Sequence, residues 1–172
     1  NIPAHAVLTK KSMGTLPFVS KTALPKGYIP DYTVLFHGYP VLIIEAKSPQ
    51  VSIDQAIGEA RAYADVLNKN FPPKINPISR VVGCNGVDLV VGPTDANENL
   101  QFRVADLTIG SSKLEDLRKW LGVKELRTFA DRLRRTAAQA TSLTPAATLN
   151  PQLFLERVTP NALAPYLAPL YE

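Results

Sequence analysis

The stretch GYIPDYTVLFHGYPVLIIEAKSPQ, residues 27–50, decides the fold of this chain. Two runs in it, 32–36 and 39–46, are rich in valine, isoleucine, leucine and tyrosine, which is typical of β-strands. His37-Gly38 between them is predicted to form a tight hairpin turn. Charged residues stand at the strand ends, where a buried sheet would favour apolar ones: Asp31, Glu45 and Lys47.

Side chains alternate across a strand, so the second run divides into two faces. One face is predicted to carry Val41, Ile43, Glu45 and Lys47. The other face is predicted to carry Leu42, Ile44 and Ala46. Because an antiparallel hairpin brings the start of one strand beside the end of the next, we expect Asp31 to lie close to residues 45–47.

This cluster of two acids and an amine suggests a metal-dependent hydrolytic site. Two converging carboxylates repel each other unless a positive charge lies between them. Mg²⁺ suits that position, since it takes oxygen ligands and keeps waters that a substrate phosphate can replace. Lys47 is expected to stabilise charge on a phosphate or to position and deprotonate the attacking water. The simpler alternative for Glu45 and Lys47 is a surface ion pair at a strand end.

Apolar periodicity and turn residues predict the remaining elements. A helix is predicted from a capping box of Ser52 and Gln55 to Asn68. Asn85-Gly86 is typical of a hairpin turn. The other predicted strands are 78–84, 87–91 and 100–105. The other predicted helices are 112–121, opened by a capping box of Ser112 and Glu115, and 124–135.

This order of elements predicts an α/β fold with a mixed sheet flanked by helices. Residues 1–30 are predicted to be loosely structured, with a short strand or hairpin arm near 16–20. We expect one domain over 1–135. Residues 136–172 are predicted to be a linker or a C-terminal packing segment, because 136–155 hold no charged residue and are rich in Ala, Thr, Pro and Leu.

Pro30-Asp31 followed by Glu45-Ala46-Lys47 resembles the motif of the PD-(D/E)XK nuclease superfamily. IPDYTVLFHGYPVLIIEAKSP and the following AIGEARAYADVL are similar to the N-terminal nuclease domain of type I restriction enzyme R (motor) subunits. In that branch the helix carries a Gln-x-x-x-Tyr element. Tyr63 matches its tyrosine, and Glu59 stands where glutamine is usual. The resemblance covers about residues 28–105.

The resemblance implies a restriction-endonuclease-like core over 1–135 and Mg²⁺-dependent cleavage of DNA, with Mn²⁺ as a substitute. Asp31, Glu45 and the Ala46 carbonyl would bind the metal, and Lys47 would assist the nucleophilic water. The implied auxiliary catalytic residues are Glu59 and Tyr63. For Glu59 a solvated helix face is an equal alternative, and for Tyr63 a packing role.

The implied partners are DNA and, outside this chain, a helicase (motor) domain and specificity or methylation subunits. Ser20-Lys21-Thr22 lacks the glycines of a phosphate-binding loop, so no motor is expected here. Many superfamily members carry a further acid before the first motif, whereas residues 1–30 contain none. Either that acid precedes Asn1, in which case the chain is a fragment, or the site of this protein lacks it.

Two alternative functions follow. The first is a nuclease-like fold without catalysis that acts as a nucleic-acid-binding or assembly module. The second is the same chemistry on branched DNA or RNA.

Charge, cysteine count and apolar runs indicate which partners and which compartment to expect. The net charge is +4 and the isoelectric point about 9.2, which is compatible with a polyanionic partner. Eight bases and four acids in 113–135 predict a solvated helix face or, alternatively, a phosphate-contacting surface. The single Cys84 excludes an internal disulfide and favours a reducing, cytoplasmic compartment. No apolar run reaches the roughly 18 residues of a membrane span.

Overall fold

The computed structural model describes residues 2–9, 29–72 and 75–142, the last with side chains to 138. Its strands are β1 (Val7–Thr9), β2 (Tyr32–Phe36), β3 (Tyr39–Ala46), β4 (Arg80–Cys84), β5 (Asp88–Pro93) and β6 (Leu100–Arg103). Its helices are α1 (Ile53–Asn68), α2 (Ser112–Leu121) and α3 (Val123–Ser142), with 3-10 turns at Ala4–Ala6 and Val104–Asp106.

Contacts divide the chain into a unit from Asn1 to Ala137, which holds the sheet, and a second from Ala138 to Glu172. The predicted division into 1–135 and 136–172 stays a prediction, because most of the second range lies outside the described residues.

The six strands form one sheet in the order β1-β2-β3-β4-β5-β6. β3 and β4 pair in parallel, and every other neighbouring pair is antiparallel. A parallel pair needs a crossover connection, and α1 supplies it. The predicted α/β class with a mixed sheet is therefore confirmed.

Helices cover both faces of the sheet. α1 packs on one face through a cluster of nine buried residues: Ile43, Ile57, Ala60, Tyr63, Ala64, Leu67, Ile78, Val81 and Val90. α3 packs on the other face through Leu126 and Ala130, which join Val34, Phe36, Leu42, Val82, Val91 and Phe102. The apolar side of α2, which includes Leu117 and Trp120, lies against this second cluster.

The β2–β3 hairpin has the predicted turn and one irregularity. His37 and Gly38 both have positive φ, 51° and 79°, as a type I′ turn requires. Farther along, Val34 pairs with Leu42 and Leu35 with Pro40, so Val41 has no partner on β2. Val41 and Leu42 therefore belong to the same cluster, on the α3 side. The predicted face of Val41 is wrong, because this bulge interrupts the alternation.

Several element boundaries differ from the prediction. β1, which pairs with β2, was not predicted, and the arm predicted near 16–20 lies outside the described residues. β4 begins only at Arg80 because the Asn68 amide bonds both the N–H and the C=O of Ile78.

Two helices also differ. Ser111, not Ser112, caps α2, since its hydroxyl accepts from the Leu114 N–H at 3.2 Å. α3 continues to Ser142, seven residues past its predicted end.

The contact between α1 and β4 requires a glycine. A Cβ built on Gly83 would lie 2.7 Å from the Ile57 backbone nitrogen, closer than real Cβ contacts. We expect Gly83→Ala to displace α1 and to lower the free energy of unfolding by about 1–3 kcal/mol. Urea denaturation measures this loss.

Gly58 is the matched control within α1, because a Cβ there meets nothing within 4 Å. Gly58→Ala is expected to raise the free energy of unfolding by about 0.5–1 kcal/mol through helix propensity. If both substitutions changed the free energy of unfolding equally, the close approach of α1 to β4 at Gly83 would be contradicted.

Candidate active site

Asp31 lies against the end of β3, as predicted. Its Oδ2 accepts a hydrogen bond from the Ala46 N–H at 3.0 Å. Its own N–H donates to Glu45 Oε2 at 3.3 Å. The residue immediately before β2 is thus held against two consecutive residues of β3, which confirms the expected proximity of Asp31 to residues 45–47.

Glu45 is the buried member of the cluster, with 2% of its surface exposed. It follows Ile43 on the α1 face of β3, and Lys47 Nζ donates to its Oε1 at 2.8 Å. Each carboxylate oxygen therefore has a donor, which a buried charge requires. An exposed ion pair, the simpler alternative for Glu45 and Lys47, does not describe a carboxylate buried in this way.

Lys47 also contacts α1. Its Nζ donates to Glu59 Oε2 at 2.6 Å, so one ammonium bridges a strand carboxylate and a helix carboxylate. The side chain of Glu59 is about one-third exposed, at 35%. Its contact with Lys47 places Glu59 in the cluster rather than on a solvated face of α1.

Gln55 contacts the cluster, although its spacing from Ser52 predicts a role in the helix cap. Its Nε2 donates to Glu59 Oε1 at 2.9 Å. The cap of α1 is Ser52 alone, whose hydroxyl accepts from the Asp54 N–H at 3.2 Å. The predicted capping box is therefore wrong for Gln55, whose side chain bonds Glu59 and not the backbone of Ser52. The spacing of Gln55 and Glu59, one helical turn apart, was the signal for their pairing.

Tyr63 is 8% exposed and belongs to the hydrophobic cluster beneath α1, with Ile43 and Ile57. Burial raises the pKa of its phenol, and the negative charge of Glu45 raises it further. Tyr63 thus lies near the acids but has the surroundings of a packing residue. Its auxiliary catalytic role stays a prediction.

The cluster shifts the pKa of three groups. Burial raises the pKa of Glu45, although the hydrogen bond from Lys47 opposes this. Hydrogen bonds from Lys47 and then Gln55 lower the pKa of Glu59. The pKa of Lys47 is raised by its hydrogen bonds to Glu45 and Glu59. Lys47 is therefore an ammonium at neutral pH.

The charges do not balance within the cluster. Asp31, Glu45 and Glu59 supply three carboxylates, and Lys47 supplies one ammonium. With all four ionised, the cluster carries two uncompensated negative charges, the charge of one divalent cation.

Oxygens of the kind that a hard cation needs lie close together at the C-terminal end of β3. Asp31 and Glu45 each present a carboxylate there. In a strand, the N–H and C=O of a residue project toward the same neighbour. Because the Ala46 N–H reaches Asp31, the Ala46 carbonyl also points to that side. In the described part of the chain, no group of three or more His, Cys, Asp or Glu side chains is arranged to hold a metal. The candidate ligand set is thus two carboxylates and a carbonyl.

Comparison with protein families, curated proteins and solved structures found no match for this chain. Within residues 2–9, 29–72 and 75–142, no helix is both long and apolar enough to cross a membrane.

Ionisation of Glu45 is expected to destabilise the fold, because burial raises its pKa in the folded state. Stability should therefore fall as the pH rises from the unfolded value, about 4.3, through the folded value. Glu45→Gln keeps the shape and one acceptor oxygen without the charge. In EDTA at pH 8 we expect it to be more stable than the parent by about 0.5–2 kcal/mol.

The difference should vanish near pH 4, where the parent carboxyl is protonated. Urea denaturation at both pH values measures it. Glu98→Gln removes an exposed acid outside the cluster and should give no such pH-dependent gain. A Glu45→Gln variant less stable than the parent at pH 8 would contradict the assigned cost of the buried charge.

Proposed function

We propose that this chain is a Mg²⁺-dependent endodeoxyribonuclease domain with a PD-(D/E)XK core, similar to the nuclease domain of type I restriction R subunits. One observation carries the proposal. Asp31, Glu45 and Lys47, the three residues that match the motif, form one hydrogen-bonded cluster at the end of β3. The parallel β3–β4 pair with its α1 crossover is compatible with such a core and supports it by analogy.

The donor chemistry fits Mg²⁺, with Mn²⁺ as a substitute. Asp31, Glu45 and the Ala46 carbonyl offer hard oxygens at the end of β3, in a cluster that carries two excess negative charges when all four groups are ionised. A bound ion would lower the pKa of a water and neutralise charge on the phosphate. Ala46 is exposed and Asp31 is half-buried, so a phosphodiester can approach this end of β3 from solvent, beside the buried Glu45.

The raised pKa of Lys47 favours one of its two expected roles. Without metal, hydrogen bonds to Glu45 and Glu59 hold the side chain in the ammonium form. Its ammonium is instead suited to stabilise the negative charge that develops on the phosphate oxygens. Glu59 accepts from Lys47 and is itself fixed by Gln55, so Glu59 acts as a positioning residue for the ammonium.

The proposal predicts the loss of cleavage when Asp31 loses its charge. Asp31→Asn keeps an oxygen that can accept from Ala46, so the fold should persist. We expect Mg²⁺-dependent cleavage of duplex DNA to fall at least about 100-fold, as for other preorganised charged groups. Single-turnover assays measure the rate, and circular dichroism checks the fold.

Asp54→Asn is the matched control, because Asp54 is an exposed acid in the first turn of α1 whose own side chain has no described hydrogen bond or ion pair in the cluster. It should cut at the parental rate. If folded Asp31→Asn cut as fast as the parent, Asp31 would have no catalytic role.

Metal binding separates this proposal from its alternative, a nuclease-like module for binding or assembly. That alternative is favoured by the absence of any acid in residues 1–30. If the site holds metal, saturating Mn²⁺ stabilises the folded protein by RT ln(1 + [L]/Kd), about 2.7 kcal/mol at one hundred times Kd.

The parent should therefore show a rise in Tm with Mn²⁺, and Asp31→Asn should lose it. A parent Tm that is indifferent to millimolar Mn²⁺, together with retained DNA binding, would favour the binding module instead.

A further inference from the structure

The basic residues of α2 and α3 differ in how they are paired. Arg118 and Lys119 of α2 form ion pairs with Glu115 and Asp116. On α3, Lys124, Arg127, Arg132, Arg134 and Arg135 are all exposed, and no carboxylate in the described part of the chain pairs with them. Of these two helices, α3 therefore carries the cations that lack carboxylate partners.

Most of this charge lies on one flank of α3. At 100° per residue, a sector of about 100° contains Arg134, Arg127, Asp131, Lys124 and Arg135 in angular order. The buried Leu126 and Ala130 lie toward the sheet, outside this sector. From Lys124 to Arg135 the flank rises roughly 16 Å, at 1.5 Å per residue. It is a basic stripe rather than a single charge.

The stripe borders a cleft beside the β2–β3 turn. The cleft has a volume of about 610 Å³ and is lined by residues that include His5, Phe36, His37, Arg127 and Asp131. The Arg127 guanidinium lies 5.5 Å from the centroid of the Phe36 ring, which holds it at the cleft. Asp131, the acid on this flank, is engaged by His37 Nε2 at 3.2 Å.

We propose that this α3 flank binds the sugar-phosphate backbone of double-stranded DNA, away from the phosphate that is cut. The inference rests on the proposed function for its choice of DNA. Each DNA strand carries one charge per 3.4 Å of helix axis, so a duplex segment as long as the stripe, roughly 16 Å, carries about five phosphates on each strand. Exposed cations without carboxylate partners release counterions when they bind such a backbone.

The flank and the catalytic cluster lie at opposite ends of one hairpin. Asp31 precedes β2, and His37 follows it. Six residues of extended chain span about 20 Å. The two surfaces also lie on opposite faces of the sheet, since the cluster contacts α1 and the flank belongs to α3. The flank therefore anchors the duplex without reading its sequence or taking part in the chemistry.

The test compares two triple variants that remove the same net charge. Lys124→Gln, Arg134→Gln and Arg135→Gln together remove exposed cations of the stripe. Lys69→Gln, Arg118→Gln and Lys119→Gln together remove exposed cations that are ion-paired elsewhere. Fluorescence anisotropy measures the affinity of the full chain for a labelled duplex in EDTA, at several salt concentrations, so that neither metal nor cleavage intervenes.

We expect the stripe variant to bind at least about tenfold more weakly near physiological salt, with the slope of log K against log salt reduced by about 2 to 3. The control variant should keep most of the parental affinity and slope. Equal losses in both variants would show that only net charge matters and would overturn the inference. So would a stripe variant that binds like the parent.

The outcomes also separate this inference from the proposed function. If the parent binds DNA through the stripe but does not cut it with Mg²⁺ or Mn²⁺, the nuclease proposal is wrong and DNA binding by the α3 flank is supported. If the parent cuts DNA and both triple variants bind it equally well, DNA binding by the α3 flank is wrong and the nuclease proposal is supported.

Discussion

The bulge at Val41 is the constraint on which the candidate site depends. From Phe36 and Tyr39 at the turn, unbroken alternation would direct Ile43 and Glu45 toward α3. The extra residue at Val41 changes the parity, so that Ile43 packs against α1 and Glu45 follows on the same face. A shift of one residue exchanges the faces of a strand, and a bulge is a defined way to make it.

With Glu45 directed toward α1, the rest of the cluster follows from packing. Glu45 and Gly83 are partners in the parallel β3–β4 register. The absence of a side chain at Gly83 lets α1 approach the sheet at Ile57. Glu59, about half a turn farther along α1, then comes within reach of Lys47. The bulge and the close helix contact together bring Glu45 and Glu59 to one ammonium, with Asp31 bonded beside Glu45.

Local chemistry made most of the fold predictable. β2, β3, the turn at His37-Gly38 and the span of α1 follow from side-chain type and short-range spacing, and the structure has them where predicted. The proximity of Asp31 to Glu45 followed from hairpin geometry alone.

The remaining features depend on partners distant in sequence. β1 exists by pairing with β2, and the delayed start of β4 depends on Asn68. The bulge at Val41 cannot be predicted from the alternation of polar and apolar residues, because the residues on both sides of it are equally apolar. The pair of Lys47 and Glu59 joins a strand to a helix, and no local spacing encodes that contact. Gln55 was assigned to a cap because the capping motif is local, whereas its hydrogen bond to Glu59 competes with that motif.

The charge of the cluster has a consequence for DNA binding. With all four groups ionised, two uncompensated negative charges would repel a phosphodiester until a cation neutralised them, so the proposed catalytic residues would contribute no affinity for DNA without metal. The DNA affinity of the proposed nuclease would then come from another surface, and the chain's net charge of +4 is compatible with this. In the part of the chain that the structure describes, most cations without a carboxylate partner lie on α3, at the far end of the same hairpin. For the proposed nuclease, such a separation allows the duplex to be held while the scissile phosphate enters only once metal is bound.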